Sequence, residues 1–562
     1  MQVGRPRFRY IFLIISIVMM LSGVALAGST QNGVGTVTVT EVDYQATDGS
    51  NIHATLQQPV YATSSDPLPG VIIYHGSLQN KEWLMAFGIE LARRGFVVLT
   101  PDANGHGNSD DGSGSGSASL EFLASLEYVD TSAIGLVGHS MGGGTAWQAM
   151  SDTSIDVKAV VLVGSWIRSD WNATYPSNLL VTVGDFDSLF SGRDVTMLDD
   201  IFNTTSVADG VLYGDFDSGT ARKYVLAKTN HLFETIDPEI VSETVEWMKD
   251  SLKGGVEDAH WIPSSNLVYS WWLVGGFLAT LGAVLTIFPL ITILLDTSLF
   301  VSLKKKVSQD DQTEEIQTKG PFTKWGLIYS IVPPLTFFPL LLVGTFIPFP
   351  QSYGGAISLW FLGTGLILFL LLRIAIKGKM TFSFSKDTSL LLRTFALALI
   401  VILWLYGWTL LVDLGFALDF RCFLPGMNDL TFARALFVPI YAVVFFIYFL
   451  VDSMWLMGPL RPHDVEPWYK GLTIWSIKSV LIKCYPFAIL IGYEYGLGFL
   501  LGFPVVPGMI GYSFLFFYAF APWFAVSAVI SVYCYRSTNK YYLGPFLKAL
   551  LFAWMLATIL AF

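Results

Sequence analysis

The sequence predicts two folds in one chain: a soluble α/β domain with a mostly parallel sheet, and an all-α domain of membrane-spanning helices. Of the 562 residues, 53% are hydrophobic and 14% are charged, whereas soluble domains usually contain about 25% charged residues. The charges are divided unevenly, because residues 28–262 contain 31 acidic and 11 basic residues and the long apolar runs follow them. The net charge of −11 argues against nucleic acid as a partner, since contacts to phosphates need clustered Lys and Arg.

The first 27 residues predict a signal peptide or a signal anchor. Three arginines precede an apolar run over 10–27, which ends with the small residues Ala25 and Ala27 and is followed by Gly28. This order is typical of a cleaved secretory signal, but about 18 apolar residues are also just long enough to stay in the membrane. Cleavage and retention both stay open, and in either case the segment that follows is exported.

Residues 28–255 predict an α/β domain in which short strands alternate with helices. Residues 34–60 alternate apolar and polar side chains around a turn at Asp48 and Gly49, which predicts a β-hairpin. Short buried strands that alternate with helices form a mostly parallel sheet covered on both faces. The β-rich runs are 70–74, 96–100, 134–137, 157–163, 179–183 and 224–227, and the helix-like stretches are 81–94, 117–128, 141–151 and 236–252.

A linker over 256–266 and a transmembrane domain over 267–562 follow. Basic loops stay in the cytoplasm, and every second loop between the apolar runs is basic. The sequence therefore predicts a multi-pass protein of the plasma membrane with its α/β domain outside the cytoplasm. The basic residues are Lys304, Lys305, Lys306, Lys377, Lys379, Arg461, Lys470, Arg536 and Lys540. The predicted spans, about eight in number, are 267–294, 325–347, 355–376, 389–412, 431–456, 471–497, 507–534 and 541–561.

Few residues of the predicted transmembrane domain are of types that catalyse reactions or bind metals. The cysteines Cys422, Cys484 and Cys534 are too few for a disulfide framework or a thiolate metal cluster, and we expect no cofactor and no metal. Ionisable residues, Lys483 and Lys548 among them, lie mostly near the predicted span ends, where their side chains are expected to reach the interface by snorkelling.

The most informative motif is Gly138-His139-Ser140-Met141-Gly142, which follows a predicted strand and precedes a predicted helix. A serine in Gly-x-Ser-x-Gly at such a junction lies on a strained turn that projects its hydroxyl out of the sheet. Only small residues at Gly138 and Gly142 avoid steric collision in that turn. Ser140 is therefore the candidate nucleophile.

A nucleophilic serine needs a general base, and the base needs a carboxylate that fixes its tautomer. In this topology the acid and then the histidine follow the serine, each at the end of a later strand. Only His231 and His260 lie between Ser140 and the spans, and His260 belongs to the linker, so His231 is the candidate base. The candidate acid is Asp187, which lies in the turn after the strand over 179–183, where its side chain could reach the histidine. It is preferred over Asp185, Asp215 and Asp217.

Catalysis by such a serine also needs an oxyanion hole made of two backbone N–H groups. One comes from the residue after the serine, and the other from the loop after the strand over 70–74. Met141 and Ser77 are the candidate donors, with Leu78 as the alternative to Ser77.

These motifs together resemble the α/β-hydrolase family over residues 34–252, somewhat under half of the chain. The Asp-x-x-Gly-His-Gly-x-Ser stretch at 102–109 is similar to that of monoacylglycerol-lipase-like and serine-aminopeptidase-like members, and dienelactone hydrolases are a further similar group. Residues 184–187 resemble the family's acid turn, and residues 230–231 resemble its histidine loop. The resemblance implies a serine hydrolase without specifying its substrate.

The chain departs from many lipases of this family, which carry a helical cap after the strand that ends near Gly164. Only about a dozen residues separate that strand from the next one, too few for a cap. The additional residues lie instead at 188–223, between the acid and the histidine. They either flank the pocket or decorate the surface.

Three functions are consistent with the sequence. The first is a membrane-anchored, extracytoplasmic serine hydrolase that cleaves carboxylic ester or acyl bonds of a small molecule or a lipid. The second is a peptidase or amidase that uses the same triad on a peptide substrate. The third is a catalytically silent binding module on a membrane transporter or sensor. The sequence does not specify the oligomeric state.

Overall fold

The computed structural model describes residues 6–190, 195–304, 320–376, 387–421, 426–462 and 468–562. Within these ranges the chain forms a domain with a mostly parallel sheet and a region of long apolar helices, so the predicted fold class is confirmed. The predictions that concern Lys305, Lys306, Lys377, Lys379 and Cys422 lie outside the described residues.

The sheet of the α/β domain contains each of the predicted strands. The strands are β1 Val37–Gln45, β2 Asn51–Pro59, β3 Leu68–Tyr74, β4 Val97–Pro101, β5 Val129–His139, β6 Val157–Val163, β7 Leu179–Gly184, β8 Leu212–Tyr213 and β9 Arg222–Ala227. Their order in the sheet is β1-β2-β4-β3-β5-β6-β7-β9-β8. The strands from β4 to β9 in this order are parallel, whereas β1, β2 and β8 pair antiparallel to their neighbours. The two-residue β8 is too short to produce a pattern in the sequence.

Helices cover both faces of the sheet because side chains alternate along each strand. On β3, Val71 and Ile73 belong to one apolar cluster, and Ile72 and Tyr74 belong to the other. The first cluster includes helices α2 Met85–Ala92 and α5 Pro238–Leu252, and the second includes α3 Ser115–Ala124 and α4 Met141–Asp152. Because the central strands are parallel, their carboxyl ends lie at the same edge of the sheet, where a site can be assembled.

The remaining helices form a bundle, and eight helical segments of the described chain are long and apolar enough to cross a membrane. One of the eight is the N-terminal helix, so seven follow the linker, one fewer than predicted. The eighth predicted span, at 541–561, is a helix of 17 residues. The helices are α1 Pro6–Gln31, α6 Tyr269–Leu294, α7 Lys324–Gly344, α8 Gly354–Ile376, α9 Thr388–Phe416, α10 Phe432–Ala435, α11 Val438–Met457, α12 Trp468–Ile491, α13 Leu497–Leu501, α14 Gly508–Ser513, α15 Leu515–Thr538 and α16 Leu543–Ile559.

Helix α1 packs closely against α6 through small residues. A Cβ atom on Gly23 would lie 2.3 Å from the Ala279 nitrogen, and one on Gly282 would lie 2.4 Å from the Met20 nitrogen. Such backbone contact between glycines and a neighbouring helix is typical of helix pairs in membranes. The N-terminal segment is therefore packed as part of the bundle.

The bundle contains a buried charge cluster that corrects the snorkelling interpretation for two lysines. Lys483 Nζ lies 2.7 Å from Asp452 Oδ1, and Lys548 Nζ lies 2.7 Å from Asp452 Oδ2. Tyr329 donates its hydroxyl to Asp452 Oδ1 at 2.6 Å. All four side chains are buried. Because a charge inside a bundle is costly without a partner, the lysines pair with Asp452 rather than extend to the interface.

Polar contacts attach the α/β domain firmly to the bundle. Glu90 on α2 accepts hydrogen bonds from the first backbone N–H groups of α6, at Val268 (2.6 Å) and Tyr269 (2.8 Å). The Arg94 guanidinium donates to Glu90 and to the linker carbonyl of Pro263, both at 2.7 Å. These bonds fix the end of the predicted linker against α2.

A second attachment lies at Arg434 on α10, which is fully buried. Its guanidinium donates to the carbonyls of Gly105 and Gly107, in the loop after β4, at 2.7 and 2.6 Å. It also donates to the carbonyls of Ala557 (3.0 Å) and Leu560 (2.6 Å), at the C-terminal end of α16. One side chain therefore joins a loop beside the candidate site to the helix that ends beneath it.

Candidate active site

Ser140 lies at the junction between β5 and α4 with a backbone φ of +53°. A residue other than glycine rarely adopts this conformation, and it is the one expected of a serine on a strand-to-helix turn. The turn is tight, because a Cβ on Gly142 would lie 2.1 Å from the Tyr74 carbonyl oxygen and one on Gly138 would lie 2.5 Å from the Gly143 nitrogen. The two glycines are therefore required by close backbone approach.

The structure brings Ser140, His231 and Asp187 into one hydrogen-bonded row. His231 Nε2 lies 3.0 Å from Ser140 Oγ, and His231 Nδ1 lies 2.8 Å from Asp187 Oδ2. The other carboxylate oxygen of Asp187 accepts from the backbone N–H groups of Leu189 (2.7 Å) and Phe190 (3.2 Å). These bonds hold the carboxylate toward the histidine, which is the arrangement that a serine, a base and an orienting acid need.

Adjacent strands of the sheet place these side chains together. Asp187 ends a turn after β7, with its N–H bonded to the Gly184 carbonyl at 3.1 Å, and His231 lies in the loop after β9. A Cβ on Gly184 would lie 2.3 Å from the Thr229 carbonyl oxygen, so the two loops touch through their backbones. Since β7 and β9 are neighbours, the acid and the histidine meet at the same edge.

A second carboxylate lies beside His231 and was not predicted. Glu234 Oε2 is 3.3 Å from His231 Nδ1 and 3.4 Å from His139 Nε2. Its Oε1 accepts from the Gly184 N–H at 2.6 Å, and Glu234 is completely buried. The signal was present in the sequence, because a His-x-x-Glu spacing places both side chains on one side of a single helical turn.

The two carboxylates set the charge of the histidine. Burial alone would lower the pKa of His231, but the charges of Asp187 and Glu234 outweigh burial and raise that pKa to about 10. Burial raises the pKa of Asp187 to about 6, despite the charge of His231. Burial alone would raise the pKa of Glu234, but its contacts with His139 and His231 lower that pKa to about 2. Glu234 therefore stays negative and favours the protonated form of His231.

The loop after β3 lies over Ser140, as expected for an oxyanion loop. The Ser77 hydroxyl lies 3.4 Å from Met141 Sδ, so the two candidate donor residues are neighbours. Gln79 Oε1 accepts from the Gly76 N–H at 2.8 Å and lies 3.0 Å from His139 Nδ1, which ties the loop to the serine turn. The alternative donor, Leu78, has a φ of +59°. The assignment of Met141 and Ser77 as oxyanion donors stays a prediction.

A cavity of about 100 Å³ begins at Ser140 and continues between the helices of the bundle. We call it the interdomain cavity. The α/β domain contributes Gly76, Ser77, Leu78, Gln79, Trp83, His139, Ser140, His231 and Leu232. The helical region contributes Ile357, Phe445, Tyr512, Leu515, Phe516, Ala519, Phe520, Trp523, Phe552, Met555, Leu556, Ile559 and Leu560. The sequence did not predict that the two halves share a cavity.

The helical region also covers the acid turn at 184–187. Tyr512 packs edge-on against the ring of His231 with 5.7 Å between centroids, and the Gly508 N–H donates to the Ser188 carbonyl at 2.6 Å. From the segment 188–223, Phe190 lies against His231 at 5.3 Å. The described residues of that segment do not line the interdomain cavity, whose wall opposite the α/β domain comes from the helical region.

Comparison with known proteins agrees with the sheet order and the serine turn. Residues 69–250 match the family model of the alpha/beta hydrolase fold. This region is an α/β-hydrolase domain. The match covers less than half of the chain.

Two named relatives are each similar to about a third of this chain. Cutinase 2 of Thermobifida cellulosilytica is 25% identical over 185 residues, which are 31% of this chain and 64% of the cutinase. Bis(hydroxyethyl) terephthalate hydrolase of Streptomyces coelicolor is 26% identical over 201 residues, 34% of this chain and 58% of that hydrolase. A solved esterase of Pyrococcus furiosus matches 39% of this chain and 96% of its own, with 15% identity and a TM-score of 0.30. The chain thus spans less than two thirds of these named relatives from Thermobifida and Streptomyces.

Proposed function

We propose that the protein is a membrane-anchored serine hydrolase that cleaves carboxylic ester or acyl bonds through an acyl-enzyme on Ser140. The observation that carries the proposal is the row of hydrogen bonds from Asp187 through His231 to Ser140 Oγ. The strained turn at Ser140 supports it, because that turn presents the hydroxyl at the edge of the sheet. The named relatives, a cutinase and a terephthalate ester hydrolase, favour esters over amides.

The reaction begins when Ser140 Oγ attacks the carbonyl carbon of the ester and its proton passes to His231 Nε2. The bond from that carbon to the alcohol oxygen then breaks, and the alcohol leaves with the proton from His231. Water next gives a proton to His231, and its oxygen attacks the acyl carbon. The carboxylic acid leaves as Ser140 Oγ takes the proton back.

The neighbouring groups lower the barrier in defined ways. Asp187 accepts a hydrogen bond from Nδ1–H of His231, which leaves Nε2 free to receive the serine proton. The N–H groups of Met141 and Ser77 are the donors that we assign to the negative oxygen of the tetrahedral intermediate. The N-terminus of α4, directly behind Ser140, favours the same negative charge.

We further propose that the hydrolase domain is extracytoplasmic and that α1 is retained as a membrane anchor. The alternating basic loops of the sequence support this orientation. The close packing of α1 on α6 supports retention, because cleavage after Ala27 would remove most of a helix that fills the bundle.

Labelling of isolated membranes with a fluorophosphonate probe tests the proposal. We expect the wild-type chain to be labelled and both S140A and H231A to be unlabelled, because labelling needs an activated serine hydroxyl. S125A, which removes an exposed serine hydroxyl, is the matched control and should be labelled like the wild type. Unlabelled wild type, or labelling that persists in S140A, contradicts the proposal.

A panel of p-nitrophenyl esters and aminoacyl anilides tests the bond that is cleaved. We expect hydrolysis of the esters and at least a thousandfold lower kcat in S140A. Activity confined to the anilides would instead indicate a peptidase or amidase that uses the same residues.

A further inference from the structure

We propose that the acyl part of the substrate is a long hydrocarbon chain of a membrane lipid, and that the interdomain cavity holds this chain between the membrane helices. This inference rests on the proposed serine hydrolase activity and names its substrate class. It follows from the polarity, the length and the position of the cavity walls.

The polarity of the interdomain cavity changes from one end to the other. Its polar side chains lie mainly at the hydrolase end, at Ser77, Gln79, His139, Ser140 and His231. Of the 13 lining residues from the helical region, all are hydrophobic or aromatic, with the Tyr512 hydroxyl and the Trp523 indole as their polar groups. A charged or strongly polar group would lose its hydration in that part without gaining partners. The walls therefore select a hydrocarbon.

The length of the walls fits a chain rather than a short acyl group. On α16 the lining residues are Phe552, Met555, Leu556, Ile559 and Leu560, which form one face of the helix. At 1.5 Å per residue this face extends for about 12 Å. The lining face of α15, from Leu515 to Trp523, has the same extent. An extended chain of about ten carbons occupies such a length.

The access to the nucleophile also favours an apolar substrate that arrives from the bilayer. Ser140 is 7% exposed and His231 is 3% exposed, so the surrounding water reaches them poorly. The wall residues on α8, α11, α14 and α15 belong to candidate membrane spans, and those on α16 belong to a shorter apolar helix packed among them. Met509 and Ile510 on the adjoining α14 are 59% and 60% exposed, so this side of the wall presents apolar surface to the lipid. An acyl chain moving from the bilayer into the cavity keeps an apolar environment throughout.

In this arrangement the carbonyl carbon lies at Ser140 Oγ and the chain lies along α15 and α16. The alcohol part of the ester points toward Ser77, which is exposed at the hydrolase end. The bundle thus has a role beyond anchoring, since a single helix would suffice to hold a hydrolase at a membrane. It selects the substrate by the chain that it admits.

A chain-length assay on the full-length protein in detergent tests this inference. We expect kcat/KM for p-nitrophenyl palmitate to exceed that for p-nitrophenyl butyrate by about tenfold or more, because each buried methylene adds to binding. The decisive variant is Ala519→Trp, which places an indole in the cavity wall. It should lower the palmitate value about tenfold more than it lowers the butyrate value.

Ala521→Trp is the matched control, because Ala521 is a half-buried alanine of the same helix that does not line the interdomain cavity. It should change both values by less than about twofold. Butyrate hydrolysis reports on the fold and the triad in each variant, and Leu515→Trp, at the same wall, provides a second blocked cavity if Ala519→Trp loses both activities. Equal loss of both esters in both blocked variants, with the control intact, would overturn the inference.

Failure of the inference and failure of the proposed function give different results. Fluorophosphonate labelling of Ser140 with equal hydrolysis of butyrate and palmitate would support the serine hydrolase activity and contradict the acyl-chain site. A protein that is not labelled at Ser140 would contradict both proposals. The labelling and the chain-length ratio are therefore measured on the same preparation.

Reconstitution into phosphatidylcholine vesicles that contain 4-methylumbelliferyl palmitate tests the source of the chain. We expect the rate to follow the mole fraction of the ester in the bilayer when its bulk concentration is held constant. A rate that follows the bulk concentration instead would show entry from water and overturn the bilayer route.

Discussion

His231 has two carboxylate neighbours, and the second one changes what pH dependence we expect. Asp187 and Glu234 together raise the pKa of His231 to about 10, and the histidine accepts the serine proton only when it is neutral. Activity is therefore lost as the pH falls through the pKa of His231. We expect kcat/KM to rise with pH into the alkaline range.

Glu234→Gln tests the role of that second carboxylate. The substitution removes a negative charge 3.3 Å from Nδ1, which lowers the pKa of His231 and moves the acid limb of the kcat/KM profile to lower pH by about one unit or more. Glu239→Gln, which changes an exposed glutamate of α5, should leave the limb unchanged. An acid limb that stays in place in Glu234→Gln would show that Glu234 has only a structural role.

The serine turn provides a second prediction at the scale of single residues. Gly142→Ala places a Cβ 2.1 Å from the Tyr74 carbonyl oxygen, so the turn must shift, and we expect fluorophosphonate labelling to fall at least about a hundredfold. Gly144→Ala changes a glycine of the same helix whose Cβ would meet no neighbour within 4 Å. It should keep full labelling and a thermal midpoint at or above that of the wild type. Similar labelling of both variants contradicts the role given to Gly142.

The residues that the sequence predicted are those whose position follows from chain order. Ser140 belongs to a local motif, and His231 and Asp187 each follow a strand, so topology alone suggests that they meet. The local His-x-x-Glu spacing indicates that Glu234 can reach His231, but the contacts of Glu234 with Gly184 and His139, which are far away in the sequence, follow from no local pattern. The charge cluster at Asp452 was not predicted either, because its two lysine partners lie on other helices.

At the scale of secondary structure, the packing of α1 favours retention of the N-terminal segment over its cleavage. Its packing on α6 is close at Gly23 and Gly282, and Trp272 on α6 donates its indole N–H to Gln31 at 3.0 Å. We expect mass spectrometry of the purified protein to find peptides that span Ala27 and Gly28. A mature N-terminus at Gly28 would contradict retention.

The same contact predicts how α1 responds to substitution. Gly282→Leu forces a side chain into the Met20 backbone and should lower the thermal midpoint of the full-length protein by several degrees. Gly407→Leu on α9 is the control, because a Cβ there would meet no neighbour within 4 Å. Equal midpoints for the two variants would show that α1 does not need this close contact.

The strands and helices that could be predicted are those for which one physical property of the sequence dominates. The strands β3 to β7 and β9 are short apolar runs bounded by turns, and their burial requires a sheet covered on both faces. The last helix, α16, was predicted at 541–561 but ends at Ile559 and begins at Leu543. Hydropathy does not distinguish a span that faces lipid from one that is buried among other helices, as most of α16 is.

At the scale of the whole molecule, the two halves were predicted separately and correctly as folds, but their shared cavity was not predicted. The acidic composition of one half indicates a surface that faces water, and the hydropathy of the other half indicates a surface that faces lipid. Neither property describes the surface that two halves bury against each other. Pairs such as Asn108 with Asp429, at 2.9 Å, join residues more than 300 positions apart, so no local pattern contains them.

Arg434 is the side chain on which this joint surface can be tested. Its planar guanidinium donates to four carbonyls, two in the loop after β4 and two at the end of α16, and a lysine ammonium cannot reproduce this geometry. Arg434→Lys should therefore loosen the α/β domain on the bundle, with the hydrolysis of palmitate reduced about tenfold or more and the thermal midpoint lowered. Arg373→Lys, at an exposed arginine of α8, should change neither property. Because Arg434 lies outside the lining of the interdomain cavity, loss of palmitate hydrolysis in this variant would arise from the position of the two halves. Unchanged activity and stability in Arg434→Lys would instead mean that the apolar contacts between the halves are sufficient to keep the cavity wall at Ser140.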